Sequence, residues 1–314
     1  VSVVIDTDAG IDDLVTLALA VRSPLLEVVA VTTTYGNTTL EAATRNARQV
    51  LALAGRSDVP VFPGSDKPLT RPLLTAPETH GPTGAGYAPV GPPQPSDGIV
   101  NTNVLRDILA AMHRPTTLVT LGPLTNLAWT LHEDGAFAET QIERHLGMFG
   151  TLRERGNVDR WADFNAWCDP EATDRVLRAG LDTFMVGLDV TRQLLLSAPG
   201  IDLLARSSDP LVGWLAQALR YYVESHRRQR SLNGCVLNDV LPVGELLSPG
   251  MLTFTKCRLK VGFEAEGDRG RTTEHPRGYP TWVATTVDTQ RMRTLLRRVF
   301  GNDWLALEIA GGDE

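Results

Sequence analysis

Four carboxylates fall within eight residues near the start of this chain: Asp6, Asp8, Asp12 and Asp13, in "VSVVIDTDAGIDDL" (1–14). Like charges that close repel, and carboxylates are costly to take out of water. One or two of them could cap a helix and favour its positive end, but capping needs one carboxylate and not four. A divalent cation accounts for the rest, because clustered oxygen ligands without His or Cys suit Ca²⁺ or Mg²⁺ rather than zinc. Such an ion takes about six to eight oxygens, so further ligands must come from elsewhere. Asp239, in the otherwise apolar "GCVLNDVLPVGELL" (234–247), is one candidate. Its structural alternative is the N-cap of a helix over 240–247. A backbone carbonyl at Leu121-Gly122, where "TTLVTL" (116–121) stops, is another.

These residues need strand ends and helix starts to hold them. "VSVVID" (1–6) is a β-branched run, and "DDLVTLALAVRS" (12–23) has helical apolar spacing. "LEVVAVTTTYG" (26–36), a helix over 38–55 and "VPVFPG" (59–64) continue the alternation. It returns with a helix over 101–113, a strand over 116–121, a helix over 123–132 and a strand over 144–149. A helix over 169–180, capped by Asp169 with Pro170 at its first position, precedes a strand over 183–190. Strands alternating with helices of this length imply an α/β fold, a single domain with a mostly parallel sheet flanked by helices. In such sheets ligands sit beyond the carboxyl ends of the strands. Asp6 and Asp8 end the first strand, Asp12 and Asp13 begin the next helix, and Gly10 permits the tight turn between them.

Other polar residues fall in predicted loops. Asn37 ends the second strand in "TYGN", and Asn157, Asp163 and Asn165 lie in "RGNVDRWADFNAWCDP" (155–170) beside Phe164 and Trp167. Sugar hydroxyls would satisfy such groups, as would a closed loop network. Segment 63–98 is rich in Pro, Gly and Thr, a length of loop that is functional or disordered, and 200–250 reads as mostly helical, a cap over the sheet.

The 314 residues are 42% hydrophobic with a formal net charge of −7. That composition supports a sizeable core and argues against a nucleic-acid or membrane-surface binder, which would need a basic face. Cys168, Cys235 and Cys257 form no metal motif, so buried thiols in a reducing compartment are expected. With no signal peptide, membrane-length apolar run or lipidation motif visible, the expected location is cytoplasmic.

"DTDAGIDD", "TYGN", "LGPLTN", "GNVDRWADFN" followed by "DPEA", and "ND" in the last third stand in a particular order and spacing. In this the chain resembles the inosine–uridine nucleoside hydrolase family over nearly its whole length. The resemblance implies one nucleoside hydrolase-like domain over 1–314 with an open Rossmann-type core, assembled as a homodimer or homotetramer. It implies calcium-dependent cleavage of the N-glycosidic bond of ribonucleosides. Carried over, Asp8 would bind the ion and act as general base on its water. Asp13 would be the main ligand, with Asp239 and the Leu121 carbonyl beside it. Asp12, Asn37 and Asn165 would bind the ribose 2′ and 3′ hydroxyls, and Asn157 and Asp163 would face the 5′ hydroxyl. Asp6 would support the ligands from behind, Met148 would pack near the ribose, and His80 would lie near the base.

The chain departs from the family pattern at three telling places. Ala9 replaces the usual proline of the acidic motif, and Asp163 replaces a glutamate. Asn238 replaces a histidine that many pyrimidine-accepting members carry, and an amide cannot protonate a leaving base. A purine-preferring enzyme that activates its leaving group by stacking is one answer. A substitute acid is a second: Tyr222, His226 and Arg230 share one helix face, with His226 the candidate, although a solvated face is the plainer reading. A different N-riboside, or a calcium-dependent nucleoside-binding paralogue with little turnover, is the third. "DTD" after a strand also resembles the magnesium-dependent haloacid dehalogenase phosphatases, which would leave "IDD" unexplained; phosphate release would mark that class, and ligand binding without base release the binding module.

Overall fold

The computed structural model describes residues 1–301 and the backbone of 307–309, so the expected domain limit at 314 lies outside the described residues. Residues 1–185 supply β1 (Ser2–Thr7), β2 (Glu27–Thr33), β3 (Val61–Pro63), β4 (Thr116–Thr120), β5 (Ile142–Gly147) and β6 (Thr183–Met185). The remainder adds β7 (Leu194–Ser197), β8 (Gly234–Val236), β9 (Leu252–Val261), β10 (Thr272–Glu274), β11 (Tyr279–Val287) and β12 (Leu307–Ile309). Nine of them form one sheet in the order β3-β2-β1-β4-β5-β6-β11-β9-β10. Pairing is parallel from β3 to β11 and antiparallel from β11 through β9 to β10. The expected α/β fold with a mostly parallel sheet is present.

β1 is an interior strand between β2 and β4, with Val3, Val4 and Ile5 fully buried. A strand covered on both faces reads as continuous apolar residues rather than as an alternation. One apolar cluster packs helix Ile11–Arg22 against the helices that follow β2, β8 and β11. The other packs helices Val104–Ala111, Thr125–Gln141 and Pro170–Arg178 on the opposite face. From β1 the chain winds outward to β2 and β3, then crosses back to β4 on the other side of β1. The strand order therefore reverses between β1 and β4, which opens a crevice at their carboxyl ends.

Several boundaries differ from the sequence reading. The strand expected over 183–190 stops at Met185, because Gly187 caps a short helix, Leu188–Thr191. The helix expected over 123–132 runs from Thr125 to Gln141. Segment 200–250 contains helices Ala198–Leu204, Pro210–Arg230 and Val240–Leu247, but also β8, which pairs with β7 in a small second sheet. Asp169 caps its helix as expected, its Oδ1 accepting the Ala172 amide at 3.0 Å. Segment 63–98 is closed by local backbone hydrogen bonds and includes the helical turn Pro77–His80. Cys168 and Cys235 are buried, Cys257 is half-buried, and all three are free. Among the described residues no helix is long and apolar enough to cross a membrane.

Candidate active site

The crevice beside β1 and β4 gathers the acids. Asp12, Asp13 and Asp239 each offer an oxygen within 4.8 Å of the others, and all three are buried. Asp239 stands at the N-terminus of helix Val240–Leu247 but makes no side-chain cap. Its carboxylate is not spent on the helix, so the capping alternative fails. Asp8 adjoins the group: its Oδ2 accepts the Asn37 amide at 2.6 Å and its Oδ1 accepts Asn37 Nδ2 at 3.1 Å. Asp13 accepts Thr7 Oγ1 at 2.5 Å, the Gly10 amide at 3.0 Å and Asn37 Nδ2 at 3.1 Å. Thr7 and Asn37 thus fasten the loops after β1 and β2 to one carboxylate pair. Thr7, inside the "DTD" motif, has a contact that its place in the sequence does not single out.

Burial sets the electrostatics. It pushes Asp13 up to about 6, with Asp12 adding repulsion, and pushes Asp8 and Asp239 well above the ordinary carboxylate range. Asp12 is also raised by burial, against hydrogen bonds that favour its charge. Its Oδ2 accepts Tyr222 Oη at 3.1 Å, Asn238 Nδ2 at 3.2 Å and the Asn238 amide at 3.3 Å. Its Oδ1 is buried without a partner. Four buried oxygen donors that repel one another, one of them with an orphaned atom, fit a hard divalent cation. Asp6 stands a layer behind, held by Thr32 and Asn126 at 2.5 and 2.7 Å.

The turn after β1 is tight. Ala9 has φ 40, a value that a proline ring forbids, so this substitution changes the turn rather than merely loosening it. A Cβ on Gly10 would stand 2.5 Å from Asn37 Nδ2 and 2.6 Å from His80 Nδ1. A Cβ on Gly36 would run into the Asp8 carboxylate. Gly36→Ala should therefore displace Asp8 and lower kcat by about a hundredfold, the scale of an ångström misplacement in an active site. Steady-state hydrolysis alongside a melting curve checks it; unchanged kcat would mean that Asp8 need not sit where it does.

A cavity of about 450 Å³ opens above the acids. Asp12, Asn37, His80, Leu121, Met148, Asn157, Asp163, Asn165, His226, Asn238 and Asp239 all line it, so the structure brings the expected residues together, with Asp8 and Asp13 beneath. Asn165 donates its amide to the carbonyls of Leu121 at 2.6 Å and Met148 at 2.9 Å. Its Oδ1 is the atom left for a ligand, and Leu121 keeps one lone pair. Asn238 accepts Thr191 Oγ1 at 2.9 Å and donates to Asp12, so both ends of this amide serve to hold Asp12 in place.

The helix face of Tyr222, His226 and Arg230 is no solvated face: the three line the cavity, and Tyr222 and His226 are buried. His226 donates Nδ1–H to the Tyr222 carbonyl at 3.0 Å, and its buried Nε2 has no partner. His80 is wired the other way, its Nδ1 accepting the Ile11 amide at 3.0 Å, which leaves the proton on Nε2. Burial and the nearby Arg230 charge push His80 down to about 3 and His226 to about 4. Both rings are neutral at neutral pH, one offering a donor and the other an acceptor.

A family model described as "Inosine-uridine preferring nucleoside hydrolase" matches residues 3–294. The chain belongs to that family. Among its relatives is the pyrimidine-specific ribonucleoside hydrolase RihA of Photobacterium profundum, 35% identical, with 96% of this chain and 98% of that one covered. The plant nucleoside hydrolase PpNRh1 superposes with a TM-score of 0.86 at 30% identity, over 95% of this chain and 98% of the other. The purine-preferring ribonucleoside hydrolase from Gardnerella vaginalis gives 0.88 at 27% identity, over 98% and 100%. This nucleoside hydrolase is therefore an N-glycosidase.

Proposed function

We propose that this nucleoside hydrolase cleaves ribonucleosides in the cavity above the acids with calcium as its cofactor. The observation that carries this reading is the buried set Asp8, Asp12, Asp13 and Asp239, with Asp12 Oδ1 unpartnered. Asp8, Asp13, Asp239 and the Leu121 carbonyl would hold the ion. Bound there, it would offset their repulsion and lower the pKa of a water. Asp8 is the carboxylate placed to take a proton from the attacking water. Asp12, Asn37 and Asn165 Oδ1 grip the ribose 2′ and 3′ hydroxyls, and the carboxylates stabilise positive charge that develops on the ring.

Asn238 has no part in protonating the base. His226 was the substitute expected for it, but its neutral ring presents a lone pair. His80 is the better partner for the departing base: its Nε2–H donates a hydrogen bond while the ring stays neutral, as a low-pKa histidine can. Tyr222 fixes that ring by packing against it at 5.1 Å.

Sugar release from a panel of purine and pyrimidine nucleosides, with calcium and with a chelator, tests the reading. Calcium-dependent release is expected, with His80→Ala lowering kcat by about ten- to a hundredfold. A larger loss in His226→Ala than in His80→Ala would return the leaving-group role to His226. Release from purines alone would favour stacking as the activating force; release from pyrimidines would align the enzyme with RihA. No release from any nucleoside would overturn the proposal.

A further inference from the structure

The cavity does not end at the ribose. A second one of about 530 Å³ adjoins it, and the two share Asn157, Val158, Gln229 and Arg230 as walls. Arg155 and Arg192 line its far side. Arg192 pairs with Glu154 at 3.2 Å and donates to the Gly156 carbonyl. The side chains of Arg155 and the partly buried Arg230 have no hydrogen bond or ion pair among the described residues. Asp159, the acid on this wall, is occupied: its Oδ1 accepts the amides of Trp161 at 2.6 Å and Ala162 at 2.8 Å. A guanidinium half withdrawn from water and left without an acceptor calls for an anion.

Asn157, on the shared wall, and Asp163, on the wall of the first cavity, are the residues that the family resemblance puts at the ribose 5′ end. Asp163, a methylene shorter than glutamate, accepts the amides of Gly150, Asn165 and Ala166 at 3.0, 3.1 and 3.2 Å through one oxygen. A carboxylate held back on three backbone donors repels a 5′ anion far less than one extended toward it. Asn157 accepts the Phe164 amide at 2.7 Å, which commits its oxygen and leaves its NH₂ as a donor. Together they leave one Asp163 oxygen committed to the backbone and one amide donor, Asn157 NH₂, at the 5′ end.

We infer that this annex is a 5′-phosphate subsite, through which the enzyme takes ribonucleoside 5′-monophosphates, with Arg230 and Asn157 on the phosphate and Arg155 beyond. The inference rests on the cleft being a riboside site. The bond broken is the same C1′–N bond: water gives its oxygen to C1′ and a proton to the base, and the phosphate stays on the sugar.

Calorimetric titration with ribose 5-phosphate and with ribose, calcium present, is the first test. Ribose 5-phosphate should bind at least about tenfold tighter, and Arg230→Met should remove that advantage. Base release from uridine and inosine and from their 5′-monophosphates is the second. The ratio of kcat/KM, monophosphate over nucleoside, should fall by about ten- to a hundredfold in Arg230→Met and less in Arg155→Met. Equal binding of the two sugars, or monophosphates turned over a hundredfold less efficiently than nucleosides, would overturn the subsite. So would an Arg230-dependent preference for orotidine, which would put the arginine on an anionic base. Tighter ribose 5-phosphate binding without base release from any substrate would uphold the subsite and overturn the hydrolytic reading instead.

Discussion

Asp8→Ala should lower kcat for nucleoside hydrolysis by at least about a thousandfold while the protein stays folded. The size follows from losing a positioned base, worth about a hundred- to ten-thousandfold, together with a donor to the cation. Folding survives because the substitution removes a buried carboxyl that Asp13 and Asp12 repel and that itself raises Asp239. The apo variant should melt at or above the parent. What it loses in the fold is two contacts with Asn37, at 2.6 and 3.1 Å. Asp8→Asn keeps an acceptor for the Asn37 amide but cannot take a proton, and should be as inactive. If either variant kept activity within tenfold of the parent in calcium, with circular dichroism unchanged, the base would have to be another group.

Calcium removal should lower the melting temperature, and more at pH 7.5 than at pH 5. The sign comes from the direction of the shifts. Burial raises Asp6 and Asp13 to about 6 and Asp8 and Asp239 well above the ordinary value. A carboxyl whose folded pKa lies above its unfolded one binds protons more tightly when folded. Its protonated form is stable at low pH, and stability is lost as pH rises from the unfolded value near 4 through the folded value. Without the ion the fold is therefore weakest at neutral and alkaline pH. With it the carboxylates must be ionised, so the ion binds best in that same range, and protons compete as pH falls. At calcium a thousandfold above its Kd the gap at pH 7.5 should be about 5–10 °C. Scanning calorimetry with and without chelator at the two pH values measures it. A gap that is absent, or larger at pH 5, would contradict a cation among these acids.

The sequence by itself determined which residues could do chemistry and on which elements they stand. Short β-branched runs marked the strands, and helical apolar spacing marked the helices between them, because both patterns are local. An acid-rich turn between a strand and a helix is local too, and so is the oxygen-only donor set. Only the tertiary structure decided what those groups contact. Asp239 read equally well as a helix cap until the fold set its oxygen within 4.8 Å of Asp12 and Asp13. Asn238 read as a missing acid, yet both ends of its amide are spent on Asp12 and Thr191. The Tyr222, His226 and Arg230 stripe read as solvated, because a charged run such as "ESHRRQR" carries no sign of what covers it. Which imidazole nitrogen keeps its proton depended on the Ile11 amide for His80 and the Tyr222 carbonyl for His226. Spacing along a chain records which side chains share an element's face, whereas a hydrogen-bond partner 69 residues away, such as that between Ile11 and His80, exists only once the sheet has brought both loops to one edge.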